Sequence, residues 1–302
     1  MDRTLRYDIP PEMIGHKISE FLRSKGFSNQ NLTDLKKMDH SVIIGGRWEY
    51  MTYRLQEGDT LEIRIRETDV SQKIPPVELP FPVVYEDEDI TVVDKPAHMP
   101  IHPSMKNYEN TLGNAAAYYY REQGKAFIYR CVNRLDKDTT GLTILAKHMV
   151  SCSILYDAMT EREIHREYIA IVEGEDLADE GTVDLPLGRK ENSAIERMVD
   201  YENGEKAVTH YKVLGRRNGL ALLLLKLETG RTHQIRVHMK AIGHPLIGDF
   251  LYNPENTQME RQALHSYKLC FIHPITRKEL CFMAPLPEDM AIWFPEWKSL
   301  LI

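Results

Sequence analysis

Between Glu67 and Pro82 the chain reads ETDVSQKIPPVELPFP, and no feature constrains the fold more. Its prolines remove backbone donors and hold the preceding residues out of the helical region, while the scattered charges leave neither helical nor alternating apolar spacing. The stretch predicts a linker over 67–80, with a small module at 1–66 and a larger unit at 81–302. At about 150 residues per domain, a chain of 302 residues accommodates that division. In the first part, Ile14, Ile18, Phe21 and Leu22 recur at helical spacing, and Leu32 and Leu35 indicate a second helix. VIIGGRW and TLEIRI read as short strands, which makes the module α+β.

Beyond the linker, the strand candidates VVYEDEDITVVDK, REYIAIVEG, KAVTHYKVL, LALLLLKLE and KELCFMA are interleaved with few helices and no regular βαβ alternation. The expected fold class is therefore α+β, with a mixed or antiparallel sheet and helices. Helices are expected over Thr111–Glu122, with Leu112, Ala115, Ala116 and Tyr119 on one face, and over Ser151–Arg162. A third is expected after Thr232 as N-cap, ending at Gly243.

Hydrophobic residues at 42% and charged residues at 27% are those of an ordinary soluble protein, not of a disordered, collagenous or membrane-embedded chain. The formal charge of −7 is mildly acidic, yet phosphate binding depends on where basic residues cluster, so a nucleic-acid ligand stays open. Cys131, Cys152, Cys270 and Cys281 are too few and too dispersed for a disulfide framework, and no C-x-x-C pair suggests zinc. The first residues hold no apolar core for a signal peptide, and the run ALLLL from Ala221 is too short to span a bilayer. A cytoplasmic protein is expected.

Two segments concentrate chemistry. In Arg134-Leu135-Asp136-Lys137-Asp138-Thr139-Thr140-Gly141 a polar loop feeds an apolar strand, and Asp136 or Asp138 suits a nucleophile or general base. The same residues also suit an Asx-turn with hydroxyl caps. In Thr229-Gly230-Arg231-Thr232-His233-Gln234-Ile235-Arg236-Val237-His238 a strand ends and a basic helix starts, where Arg231 and Arg236 suit a phosphate or carboxylate. A solvated basic helix fits as well. His233 and His238 lie five positions apart, which turns them off a common helix face and argues against a metal pair. Pro100 and Pro103 break up His98 and His102, and YEDED at 85–89 reads as a solvated acidic turn. Tyr168 shares a strand face with Arg166 and Ala170, which suits either a core ring or stacking on a base. No phosphate-binding glycine loop occurs, so no nucleotide cofactor is expected.

Five blocks in order, VVYEDEDITVVDKPAHMPIHPS, NRLDKDTTGLTILAK, REYIAIVEG, TGRTHQIRVHMKAIGHPLIGD and RQALHSYKLCFIHPITRKEL, resemble the pseudouridine synthases of the RluA type. The likeness spans most of the chain. Its N-terminal region resembles the small RNA-binding module shared with a ribosomal small-subunit protein, although Lys17-Ile18-Ser19 stands where Arg-Leu-Asp is usual and Gly45-Gly46 where Asn-Gly is usual. Asn133 also replaces a frequent histidine.

The resemblance implies a mixed, largely antiparallel sheet with flanking helices, and isomerisation of uridine to pseudouridine. It implies ribosomal RNA of the large subunit as partner, with transfer RNA second and a non-catalytic RNA-binding assembly factor as the further alternative. Asp136 matches the catalytic carboxylate, Tyr168 the tyrosine against the uracil, Arg236 the basic partner of the aspartate, and Arg134 the side chain that fills the stack when a base is extruded. Arg130, Lys137, Arg166, Arg231 and Lys240, with Lys147 and Arg162, are expected on the RNA backbone. The reaction conserves mass and redox state, so neither cofactor nor metal is expected, and a monomer suffices.

Overall fold

The computed structural model describes residues 1–105 and 107–301. Alternation builds its first sheet. Strands β1 (Asp2–Asp8), β2 (Val42–Ile44), β3 (Arg47–Trp48) and β4 (Thr60–Arg66) pair antiparallel in the order β1-β4-β2-β3. Leu61, Ile63 and Ile65 of β4 point to one side and are buried there. Helices α1 (Ile18–Ser24) and α2 (Asn29–Lys37) cover that side with Ile18, Phe21, Leu22, Leu32 and Leu35. Gly45 and Gly46, both at positive φ, make the two-residue turn from β2 to β3, a geometry that matches strand twist and excludes most side chains.

This core does not close on itself. Met149, Val150 and Ile154, from the later helix α4 (Met149–Thr160), complete it. Residues 67–82 contain no helix or strand but lie bound along the second part of the chain. The Glu67 carboxylate accepts from both Arg130 Nη atoms, at 2.8 and 2.9 Å, and from the Met149 amide. Ser71 Oγ accepts from the Tyr129 amide, and Asn114 donates to the Pro75 carbonyl.

The second sheet has nine strands: β5 (Val83–Glu86), β6 (Ile90–Lys95), β7 (Thr140–Ala146), β8 (His165–Glu173), β9 (Glu180–Asp184), β12 (Val208–Arg217), β13 (Leu220–Leu227), β14 (Leu264–Ile272) and β15 (Glu279–Met283). A separate hairpin joins β10 (Leu187–Arg189) to β11 (Arg197–Val199). The sheet order is β5-β6-β7-β14-β8-β13-β12-β9, with β15 on β14. All of its pairings are antiparallel except β14 with β7, so the sheet is mixed and largely antiparallel. Helices α3 (Leu112–Glu122), α4 (Met149–Thr160), α5 (Gln234–Ala241) and α6 (Glu288–Ala291) flank it. Both faces of β8 are buried: Tyr168, Ala170 and Val172 meet the core that includes α3 and α5, while Ile169 and Ile171 meet Met290, Phe294 and Trp297.

Several expectations change. Helix α4 starts at Met149 rather than Ser151, because the His148 ring accepts from the Ser151 amide and serves as its cap. Tyr120, not Tyr119, is the deeply buried tyrosine of α3. The 85–89 turn is no solvated loop, since Asp89 is buried and receives Arg3 and His148, while Asp87 receives Tyr85, His273 and two amides. One disulfide is present although composition offered no framework: the β14–β15 register sets Cys270 opposite Cys281, where they are joined.

Candidate active site

The loop 133–139 feeds the wholly buried strand β7, and its base is fixed by a side chain rather than by regular pairing. Asn133 donates from Nδ2 to the Leu142 carbonyl and accepts the Ile144 amide on Oδ1. An asparagine thus staples the loop by both ends of its amide. Beyond the loop, Gly141 sits at φ +107°, with space for a Cβ only 2.3 Å from the Ser266 carbonyl oxygen, so β7 and β14 approach there as only glycine allows. Four other groups hold the loop from outside. Lys95 Nζ and the Met99 amide donate to the Lys137 carbonyl, Arg261 donates to the Asp138 carbonyl, and His98 pairs with the Asp138 carboxylate at 2.8 Å. Burial pushes the Lys95 ammonium down to about 7, against the opposing pull of Asp138 and Asp136.

Asp136 is left facing a cleft, its side chain 26% exposed. Arg134, Leu135, Tyr168, Leu227, Ile235 and Leu264 stand around it, with Arg231, His233 and Arg236 on the α5 side. Arg236 is 3% exposed and donates from Nη1 to Asp136 Oδ2 at 2.9 Å. Its Nε and Nη2 form a two-bond fork on Asp249 at 2.7 and 2.8 Å, and Asp249 in turn accepts the amides of Leu251 and Tyr252. The Tyr252 ring lies 5.0 Å from the Arg236 guanidinium. Burial alone opposes charge on Arg236, but the two carboxylates outweigh it and raise its pKa. The site is a half-open carboxylate gripped by a buried arginine that a second, fully buried carboxylate fixes in place.

Helix α5 sets this arrangement. Buried Gln234 donates to the Val208 carbonyl and Thr209 Oγ1 and accepts from Thr229 and the Arg231 amide, which ties the first turn to β12. Arg236 then falls one half-turn later, facing inward. The N-cap is His233 in a left-handed conformation, not Thr232. Its Nε2 lies 3.8 Å from Asp136 Oδ2. His238 is a core residue between Thr209 and the Leu185 carbonyl.

Of the residues singled out in the sequence, Arg134, Asp136, Tyr168, Arg231 and Arg236 converge on the cleft. Asp138 is turned to His98 instead. Lys137 and Lys240 are exposed nearby, and the Arg166 guanidinium packs against Gly230. Arg130 does not face the cleft: Glu67 holds its guanidinium by two bonds. Lys147 is buried and bound to Glu86, and Arg162 faces Glu228. The sequence reading missed Asp249 and Tyr252 and set His233 aside. The GHPLIGD block ends on Asp249, the available hint, but nothing local ties it to an arginine thirteen positions earlier.

The family model for RNA pseudouridylate synthases matches residues 89–241, which include the loop, Tyr168 and Arg236. The chain is 40% identical over 274 residues to "Uncharacterized RNA pseudouridine synthase YjbO" of Bacillus subtilis (strain 168), covering 91% of this chain and 96% of that one. It is 40% identical to "Ribosomal large subunit pseudouridine synthase D" of Zymomonas mobilis, over 72% of this chain and 73% of that one. The solved structure of Human RNA Pseudouridylate Synthase Domain Containing 1 shares the fold, with a TM-score of 0.59 at 24% identity over 75% of this chain and 89% of that one. A family model matching half of the chain, with relatives 40% identical over most of both chains, places this protein in the RNA pseudouridylate synthase family.

Proposed function

We propose that the protein isomerises uridine to pseudouridine in large-subunit ribosomal RNA, with Asp136 as the reacting carboxylate. The observation that carries this reading is the pairing of half-exposed Asp136 with buried Arg236, itself fixed by Asp249. Isomerisation breaks the bond between ribose and uracil N1, turns the base, and joins the ribose to C5, after which the C5 proton leaves and N1 gains one. A carboxylate is what either nucleophilic or basic participation needs, and a hydrogen-bonded arginine orients it. Tyr168, Leu227, Ile235 and Leu264 offer the detached uracil a flat, water-poor wall.

A paired uridine reaches this cleft only by leaving its stack, at a cost of a few kcal/mol. Arg134, exposed at the rim, is suited to fill the vacated space. Lys137, Arg231 and Lys240, all exposed, and Arg166 beside Gly230 are the basic side chains this reading assigns to the RNA backbone, with Arg231 exchanging its exposed partner Glu205 for phosphate. Arg130 takes no part in this reading, because Glu67 already holds it. The ribosomal substrate rests on the likeness to relatives such as the Zymomonas large-subunit synthase.

Release of tritium from transcribed ribosomal RNA labelled at C5 of uracil tests the reading. Wild type is expected to release it and Asp136→Asn to release none while still binding RNA. Release from transfer RNA alone would move the substrate, and none from either would favour an RNA-binding assembly factor.

A further inference from the structure

His233 stands in a conformation that helix stability does not favour. Helix N-caps prefer short side chains that accept a backbone amide, whereas His233 makes no capping bond and sits at φ +57°. A left-handed backbone is unfavourable for most residues other than glycine. Such strain persists where surrounding contacts impose it, and here they do.

The Arg197 amide donates to the Tyr252 hydroxyl at 2.8 Å, which leaves the phenolic proton to point at His233 Nδ1, also at 2.8 Å. Burial pushes the Tyr252 phenol up to about 12, so that proton is retained at neutral pH. With the phenol as donor, Nδ1 accepts and the ring proton sits on Nε2, the tautomer that the role below requires. Burial also lowers the pKa of His233, keeping the ring neutral. The charged and titratable groups facing it are Asp136 on the loop, Arg236 on its own helix, Asp249 and Tyr252 beyond the helix, and Arg197 on β11. Nε2–H is thus a fixed neutral donor, its ring 13% exposed, aimed at the cleft 3.8 Å from Asp136 Oδ2. Arg236 Nη1 addresses that same oxygen at 2.9 Å.

We propose that His233 is a positioning residue: its Nε2–H and Arg236 together hold Oδ2 of Asp136, so that Oδ1 is the oxygen presented to the uridine. The distance is too long for a hydrogen bond in the free protein and closes when the substrate packs against Asp136. The role rests on Asp136 being the reacting carboxylate.

Two amides that differ in reach test it. His233→Asn tolerates the left-handed backbone but is too short to approach Oδ2, whereas His233→Gln reaches it. Both are measured in single turnover on whichever tritiated transcript, ribosomal or transfer RNA, the wild type converts, together with RNA affinity by filter binding and thermal midpoint. The Asn variant is expected to react at least about tenfold slower, with affinity and melting unchanged, and the Gln variant to recover to within about threefold of wild type. Equal rates for the two variants, fast or slow, overturn the role, as does a loss confined to RNA affinity. A wild type that releases no tritium brings down the functional reading, and this role with it. An active wild type whose Asn variant is equally active brings down the role alone.

Discussion

Arg236 reaches two carboxylates at once, and the division of labour between them follows from geometry. Asp249 takes the two-bond fork and fixes the plane of the guanidinium, which leaves one nitrogen for Asp136. A lysine offers a point charge without that fork. Arg236→Lys is therefore expected to cut the single-turnover rate about a hundredfold with RNA affinity within about twofold, read by rapid-quench tritium release and filter binding. Asp249→Ala leaves the buried guanidinium with Asp136 alone and two nitrogens without partners, and is expected to lower stability by roughly 1–3 kcal/mol in urea unfolding. Asp136, Tyr168 and Arg236 were legible in the sequence because each lies in a distinctive short block. Asp249 and Tyr252 were not, because a buried partner contributed from across a turn leaves no local period. His233 was weighed only as half of a metal pair and set aside, and its backbone conformation, which decides its use, has no signature in the residue string.

Secondary structure obeys the same division between local and distant causes. The alternation in TLEIRI and REYIAIVEG marked β4 and β8 correctly, and the apolar face of α3 was visible apart from the exchange of Tyr119 for Tyr120. Strand β14 escaped the pattern because its two ends face different neighbours: β7 beside His265 and Ser266, then β15 from Lys268 onward. The closest approach in that region is at Gly141. Gly141→Ala places a methyl against the Ser266 carbonyl and in an unfavourable φ, so a loss of at least about 2 kcal/mol is expected in urea unfolding, with weaker activity in the fraction that folds. Asn133→Ala removes the staple at the other end of the loop. Its expected effect is the converse, a reaction rate that falls tenfold or so with a smaller change in stability, measured on the same preparations.

Across the whole molecule, the two sheets are fastened by buried charge. Arg3 of β1 and His148 of the α4 cap meet on Asp89, and Glu67 joins Arg130 to the start of α4. Burial works against the charge on Asp89 and Asp87, yet their hydrogen-bonded partners prevail and lower both pKa values. A carboxylate depressed in the folded state contributes stability above the ordinary range near about 4, and that contribution is lost as pH falls below it. Urea midpoints measured at pH 7 and pH 3.5 are expected to show this loss, and Asp89→Asn to be less stable at pH 7 and less sensitive to acid. The proline-rich stretch announced a linker, but composition carries no sign that it is pinned at Glu67, Ser71 and Pro75. Because Met149, Val150 and Ile154 finish the core of the first sheet, that sheet is no tethered hook free to swing beside the cleft. It is one jaw of a caliper whose opening is set. Every side chain on its surface therefore keeps one span and one angle from Asp136, and the distance between sheet and cleft is a property of the core rather than of a linker.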